Sequence, residues 1–324
     1  METIQGLTNW RLTVRRGADS VTILRALTCD KKAVLPDELF GMPVTALSDR
    51  ALAAGAAGVE GEELLVLGGA ESAEWDNRNI TALTLPGKLE TIGDYAFMNL
   101  RSMETLRFHD DLRATGSATF MNCCAFAKIE LTRTAPTQGP ALSSIARNLQ
   151  QELDVTIRQT DGGTLRLIFP EYIENYTENT PAHHFELKIS GGGYAYHSVF
   201  RDKTLTVPDF DALWPDYIAA EHDADSALRL AYFRLRYPVG LNDPARERYA
   251  AYLRRRLGPA LSYAMAEKDM QGLRLLLTLG EQPPETLEAA LTEARALRLT
   301  EATALLLEQR RGRAAAGRAK KWEL

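Results

Sequence analysis

Residues 80–100 return 23 residues later as residues 103–123, pairing Leu83 with Leu106, Leu85 with Phe108, Leu89 with Leu112, Gly93 with Gly116, Phe97 with Phe120 and Asn99 with Asn122. A period of this length constrains the fold more than any other feature of the chain. Each copy supplies one short strand whose alternate residues point inward, then a turn and a return segment carrying Leu, Ile and Phe. One copy cannot bury its apolar side alone, so several must stack. A third copy begins at Ile129 and Leu131 and loosens through Leu142 and Ile145, and Leu153–Ile157 is expected to add a further strand. Upstream, Val44–Leu52 matches Leu89–Phe97 at an offset of 45, close to two periods, which predicts an intervening strand at Leu65–Leu67.

The pattern Ile-x-x-Leu-x-Leu-Pro-x-x-Leu-x-x-Ile-Gly-Asp-Tyr-Ala-Phe at 80–97 resembles the BspA-like class of leucine-rich repeats. The resemblance covers about residues 20–135, with Val21–Leu24, Val34–Pro36 and Gly41–Val44 similar to the usual first repeat. It implies a leucine-rich repeat solenoid used for protein recognition, and it brings no catalytic residues. Many members of the class are surface adhesins, so an adhesin lacking its export signal is one alternative.

The expected organisation has four parts. Residues 1–150 form the leucine-rich repeat solenoid, mostly β with short strands and turns. Residues 151–208 form a small antiparallel β region that continues or caps it. Two hairpins are expected there: Leu153–Arg158 with Thr164–Phe169 around Asp161-Gly162-Gly163, and Phe185–Ile189 with Tyr194–Phe200 around Gly191-Gly192-Gly193. Pro170–Thr180 is expected to cross between them as a helix or irregular segment. Residues 209–308 follow a helical period and form an all-α, helical repeat-like domain. Ala260–Ala266 and Leu275–Leu277 return 30 residues later as Ala290–Ala296 and Leu305–Leu307, a spacing similar to ankyrin-type stacking. Residues 309–324 read as a basic, disordered tail, with six Lys or Arg against one Glu.

The net charge of −5 gives no general electrostatic reason to approach nucleic acid or an anionic membrane. No apolar run approaches the roughly 18 residues that would span a bilayer. Cys29, Cys123 and Cys124 cannot all pair, and no basic-then-apolar stretch opens the chain, so a reducing, cytoplasmic setting is expected. The expected partner is therefore a protein, with no nucleic acid and no membrane.

His184, Glu186 and His197, with His183 beside them, are the candidates for metal ligation, since imidazole and carboxylate suit zinc and paired strands would turn all three to one side. A metal-binding or metal-dependent enzyme module around them is a second alternative. Their spacing matches no metal motif, and polar residues on the solvent side of a hairpin account for them better. Gly191–Gly193 lacks the Lys and Ser/Thr of a phosphate loop, and no nucleophile elbow is present. Cys123 occupies the repeat position of Leu100, where packing accounts for it. The reading is a non-enzymatic scaffold with no cofactor. Its binding residues are those that the 23-residue offset aligns on the outward side of the strands: Thr84, Arg107 and Glu130 in one column, Ala82, Thr105 and Lys128 in a second, His109 and Thr132 in a third.

Overall fold

The computed structural model describes residues 2–69, 74–134, 139–179, 184–280 and 282–320. They form two compact units, Met1–His222 and Asp223–Leu324.

The first unit is built on two sheets that share the same repeats. The eight-stranded sheet contains β1 (Glu2–Gln5), β2 (Trp10–Arg16), β3 (Val21–Thr28), β5 (Glu38–Leu39), β6 (Met42–Leu47), β7 (Glu62–Leu67), β9 (Thr91–Ile92) and β11 (Ala114–Thr115). Its order is β1-β7-β2-β3-β6-β9-β11, with β5 on β6. The six-stranded sheet runs β4 (Lys32–Val34), β8 (Ala82–Thr84), β10 (Thr105–His109), β12 (Lys128–Thr132), β13 (Leu153–Arg158) and β14 (Thr164–Phe169), parallel except for the last pair. One 23-residue copy thus gives a strand to each sheet, β8 then β9, and β10 then β11. Leu83, Leu89, Ile92, Phe97 and Leu100 of one copy, and Leu106, Phe108, Leu112, Phe120 and Cys123 of the next, are buried between them.

The turns repeat as closely as the strands. Asp49 Oδ1 accepts from Asp94 N–H at 2.8 Å, and Asp94 Oδ1 accepts from Ser117 N–H at 2.6 Å. Arg50, Tyr95 and Ala118, each one residue further on, share a left-handed backbone with φ of 55°, 55° and 50°. Asn122 donates its amide to Asn99 Oδ1 at 2.8 Å across the same offset. The adjoining Gly93 and Gly116 lie so close to the previous turn that a Cβ would sit 2.4 Å from a backbone nitrogen, of Asp49 and Asp94 respectively.

Leu65–Leu67 is not the intervening strand expected from the offset of 45. It belongs to β7, which pairs with β1 and β2, while β6 pairs directly with β9 and β4 with β8. The residues between are an excursion held at both ends by buried polar side chains. Arg25 donates to the carbonyls of Arg50, Ala53 and Ala56 at 2.6, 2.8 and 3.0 Å, and burial lowers its pKa. Asn77 donates to Ala26 O and Leu52 O at 2.8 and 2.9 Å and accepts from Thr28 N–H at 3.0 Å.

Among the described residues, the eight-stranded sheet gains no further strand after β12. Helix α1 (Ala141–Arg147) packs on β11 instead, with Ser144 Oγ against Thr115 Oγ1 at 2.5 Å. The expected hairpin β13/β14 forms, and β13 also continues the parallel sheet beside β12. The second expected hairpin does not form. β16 (His184–Ser190) pairs with β15 (Ile173–Asn179), the stretch read as a crossing, and Tyr194–His197 is the short helix α2. The triple glycine explains the switch: a Cβ on Gly193 would meet Pro170 O at 1.9 Å, and one on Gly192 the Tyr217 ring at 2.4 Å, so these glycines allow close packing rather than a strand turn. Helices α3 (Val207–Ala212) and α4 (Trp214–Ala219) complete the unit.

The second unit is all helical: α5 (Ala224–Arg236), α6 (Asp243–Arg255), α7 (Leu257–Ala266), α8 (Met270–Thr278), α9 (Pro284–Ala296) and α10 (Thr300–Lys320). The 30-residue offset is visible in packing and turn alike. Ala260, Leu261, Ala264 and Leu276 are buried, as are Ala290, Leu291, Ala294 and Leu306. Lys268 and Arg298 both take left-handed φ, 54° and 55°, between paired helices. Asp269 caps α8 through Gly272 N–H at 3.0 Å and also accepts from Tyr232 Oη at 2.7 Å and Arg236 Nε at 3.0 Å. Residues 309–320, expected to be a disordered tail, instead continue α10. Arg310 pairs with Glu288 at 2.9 Å and Gln309 donates to Gln282 at 2.9 Å, which ties the start of this stretch to α9 and the loop before it. Residues 321–324 lie outside the described residues.

Candidate functional site

The six-stranded sheet turns Ala33, Leu83, Leu106, Ile129, Val155 and Leu167 into the core, so their neighbours in sequence face outward. The register places Thr84, Arg107 and Glu130 side by side, with Val34 before them and Thr156 and Arg166 after. Ala82, Thr105 and Lys128 align in the next row with Lys32 and Asp154, and His109 and Thr132 with Arg158 and Thr164. The columns drawn from the 23-residue offset are therefore neighbours in space. Of their members, Thr105 is buried, only 8% exposed, and offers a partner little surface; Ala82 is buried as well. Lys128 is exposed, while Thr84, Arg107, His109, Glu130 and Thr132 are partly exposed.

The columns aligned by the 23-residue offset end at residue 132, and β13 and β14 extend the surface by two strands. Glu130 sits between Arg107, whose Nη2 lies 3.0 Å from Oε1, and Arg158, whose Nη2 lies 3.8 Å from Oε2. Arg166 grips Asp154 through two nitrogens, with Nε to Oδ1 at 2.8 Å. The signal for Arg158 and Arg166 was present in the alternation of β13 and β14, where Asp154, Thr156 and Arg158 alternate with Leu153, Val155 and Ile157. At the far corner Ile168, although on the outward side, is buried, so the open surface ends near Arg166.

The histidine reading is corrected. His197 lies on α2, not on a strand, and is fully buried. Its Nδ1 faces Ala146 O at 2.8 Å and its Nε2 faces Pro170 O at 3.0 Å, so neither nitrogen is open to a ligand. Burial lowers its pKa, against the opposing pull of the surrounding carbonyls. Glu186 is exposed on β16 opposite Thr177, His184 opens that strand opposite Asn179, and His183 lies outside the described residues. Among the described residues no group of three His, Cys, Asp or Glu is placed to hold a metal ion. Cys123 donates to Phe97 O at 3.1 Å, and burial pushes its thiol up to about 12, so it is a packing residue.

A feature that sequence reading missed is the β15/β16 hairpin. Tyr176 stands opposite Leu187, and Ile189 shares their side. All three are exposed, Tyr176 to 69%. Among the described residues, no helix is long and apolar enough to cross a membrane.

Parallel strands in register, an inward aliphatic residue on each and a recurring turn give the first unit a repeat architecture. Residues 71–150 match the family described as BspA type Leucine rich repeat region (6 copies). No curated protein matches the chain. Among solved structures, the chain is similar to a leucine rich repeat protein of T. pallidum (TpLRR), with 19% identity, 37% of this chain and 50% of that one covered, and a TM-score of 0.28. A leucine-rich repeat protein from Bacteroides capillosus ATCC 29799 gives 20% identity, 37% and 76% coverage and a TM-score of 0.28. A leucine rich cell surface protein from Faecalibacterium prausnitzii A2-165 gives 16%, 48% and 35%, and 0.28. The match thus spans half the length of the first of these proteins.

Proposed function

We propose that this chain is a non-enzymatic interaction scaffold whose leucine-rich repeats form a solenoid and bind a protein through the outward side of the six-stranded sheet. The observation that carries this reading is the alignment of Thr84, Arg107, His109, Lys128, Glu130 and Thr132, joined by Arg158 and Arg166, on one rigid sheet surface. Rigid elements present side chains at fixed spacing, so little ordering entropy opposes binding. The helical unit, with its 30-residue pairing, is read as a second, ankyrin-like repeat module. Cys29, Cys123 and Cys124 are all free thiols, which supports a cytoplasmic setting.

The test is capture from native extract with the intact chain beside the variant Arg107→Glu, Lys128→Glu, Glu130→Lys, after circular dichroism has established that both are folded. A protein retained by the intact chain and lost by the variant is the expected result. Equal retention by both removes this surface from consideration.

A further inference from the structure

We infer that the segment bound by the six-stranded sheet is an acidic stretch of polypeptide; this rests on the binding surface proposed above. The outward positions of the six strands carry five cations, Lys32, Arg107, Lys128, Arg158 and Arg166, against two carboxylates, Glu130 and Asp154, a net +3. The whole chain is −5, so this surface opposes the sign of the molecule that carries it. Such local reversal attracts an oppositely charged partner while the rest of the surface repels it, which sets the orientation of approach.

The two carboxylates are already engaged. Asp154 is held by Arg166, and Glu130 is shared by Arg107 and Arg158, so one carboxylate serves two guanidinium groups. Lys32 and Lys128 are exposed and enter no ion pair among the described residues. The cations run from β4 to β14, five inter-strand steps or about 24 Å, which about seven extended residues would cross. A peptide bearing Asp or Glu at several of these positions meets Lys32 on β4, Lys128 on β12 and the half-satisfied pair Arg107 and Arg158 beside it.

Nucleic acid fits less well. Phosphate would face the two carboxylates near the centre of the surface, and no Phe, Tyr or Trp stands among the outward strand residues to stack on a base. The acidic polypeptide is therefore the occupant assigned here.

The experiment measures fluorescence anisotropy of the full chain with three labelled probes: an eight-residue peptide of Asp, Glu and Gly, the same length with Lys for the acids, and a single-stranded oligonucleotide of matching charge. The comparison variant is Lys32→Glu with Lys128→Glu, two exposed residues outside any ion pair, so the fold is retained. Expected are binding of the acidic peptide alone, at least tenfold weakening in the double variant, and a further fall between 50 and 200 mM salt, on the order expected for screened surface charges. No binding of the acidic peptide, equal binding by the double variant, or tighter binding of the oligonucleotide overturns the inference. If extract capture is lost on charge reversal but the captured protein binds without salt dependence, the acidic assignment fails while the surface stands. If capture is unaffected by reversal, the surface itself fails.

Discussion

Gly116→Ala should destabilise the first unit through space alone. The glycine has no left-handed backbone to accommodate, yet a Cβ there would lie 2.4 Å from Asp94 N, 2.5 Å from Asp94 Oδ1 and 2.5 Å from the carbonyl carbon of Gly93. These are atoms of the neighbouring turn and include backbone, so relief requires β11 to move away from β9. That movement strains two hydrogen bonds, Ser117 N–H to Asp94 Oδ1 at 2.6 Å and Gly116 N–H to Ile92 O at 2.7 Å. Overpacking of this kind costs about 1–3 kcal/mol, and the partial weakening of the two hydrogen bonds together adds about 1 kcal/mol. The expected loss is about 2–4 kcal/mol, which for a unit of this size lowers Tm by about 5–15 °C. Urea unfolding followed by tryptophan fluorescence reads it, because Trp10, Trp75 and Trp214 belong to this unit and only Trp322 to the other. Gly58→Ala is the control: nothing lies within 4 Å of its Cβ position, so its midpoint should stay within about 0.5 kcal/mol of the parent. A Gly116→Ala chain as stable as the control would refute the argument that the repeats touch backbone to backbone at this turn.

Asp269→Ala should cost the helical unit about 2–3 kcal/mol, since it removes a helix cap and takes the carboxylate from Arg236, which keeps its bond to Gln271 Oε1; a thermal melt followed at 222 nm that matches the parent would contradict this. Burial, the largest influence on that carboxyl, pushes its pKa up, but the bonds from Gly272, Tyr232 and Arg236 together leave it lowered. Its contribution is accordingly present above the unfolded pKa, about 3.9, and is lost as pH falls through the folded value, so the Asp269→Ala penalty should shrink in acid. His197, also lowered, has the neutral form favoured in the folded state, so stability is full above the unfolded pKa of about 6.5 and falls with pH below it. Melting temperatures between pH 7.5 and 5.5 should decline less steeply in His197→Gln than in the parent, and parallel profiles would count against the assignment. In the native chain a maleimide should label exposed Cys124 and spare Cys123, whose buried thiol is pushed up to about 12, with Cys123 reacting only after denaturation; peptide mass spectrometry separates the two.

What was legible before the structure was whatever recurs. Leu83, Leu106 and Ile129 announce their register by spacing, and the sheet aligns them as spaced. The β13/β14 hairpin was equally readable, because alternation and the Asp161-Gly162-Gly163 turn agree. Reading failed where a partner lies far away in sequence. Leu64 and Val66 alternate as any strand does, but that they lie beside Trp10 and Leu12 rather than between two repeats depends on the excursion anchored by Arg25 and Asn77. Tyr194–Phe200 looks like a strand until Gly193 is seen pressed against Pro170, and His197 looks like a ligand until Ala146 and Pro170 close around it. The basic tail reads as disordered from its charge, but Gln309 and Arg310 reach partners some 22–27 residues back that no local pattern announces.

The repeat array is bounded at both ends of the eight-stranded sheet, while β4 is the starting edge of the six-stranded one. At the start, β7 and β2 run antiparallel to one another; at the finish, α1 covers β11 and β14 reverses against β13. A gene duplication that added a copy outside these bounds would leave a strand of the eight-stranded sheet with no matching neighbour. One falling between β8 and β12 would carry its own Gly, Asp and Asn, accept from the copy before and hand on to the copy after. Such a chain could lengthen only from its middle, and each inserted copy would widen the charged sheet surface by one strand, about 4.8 Å.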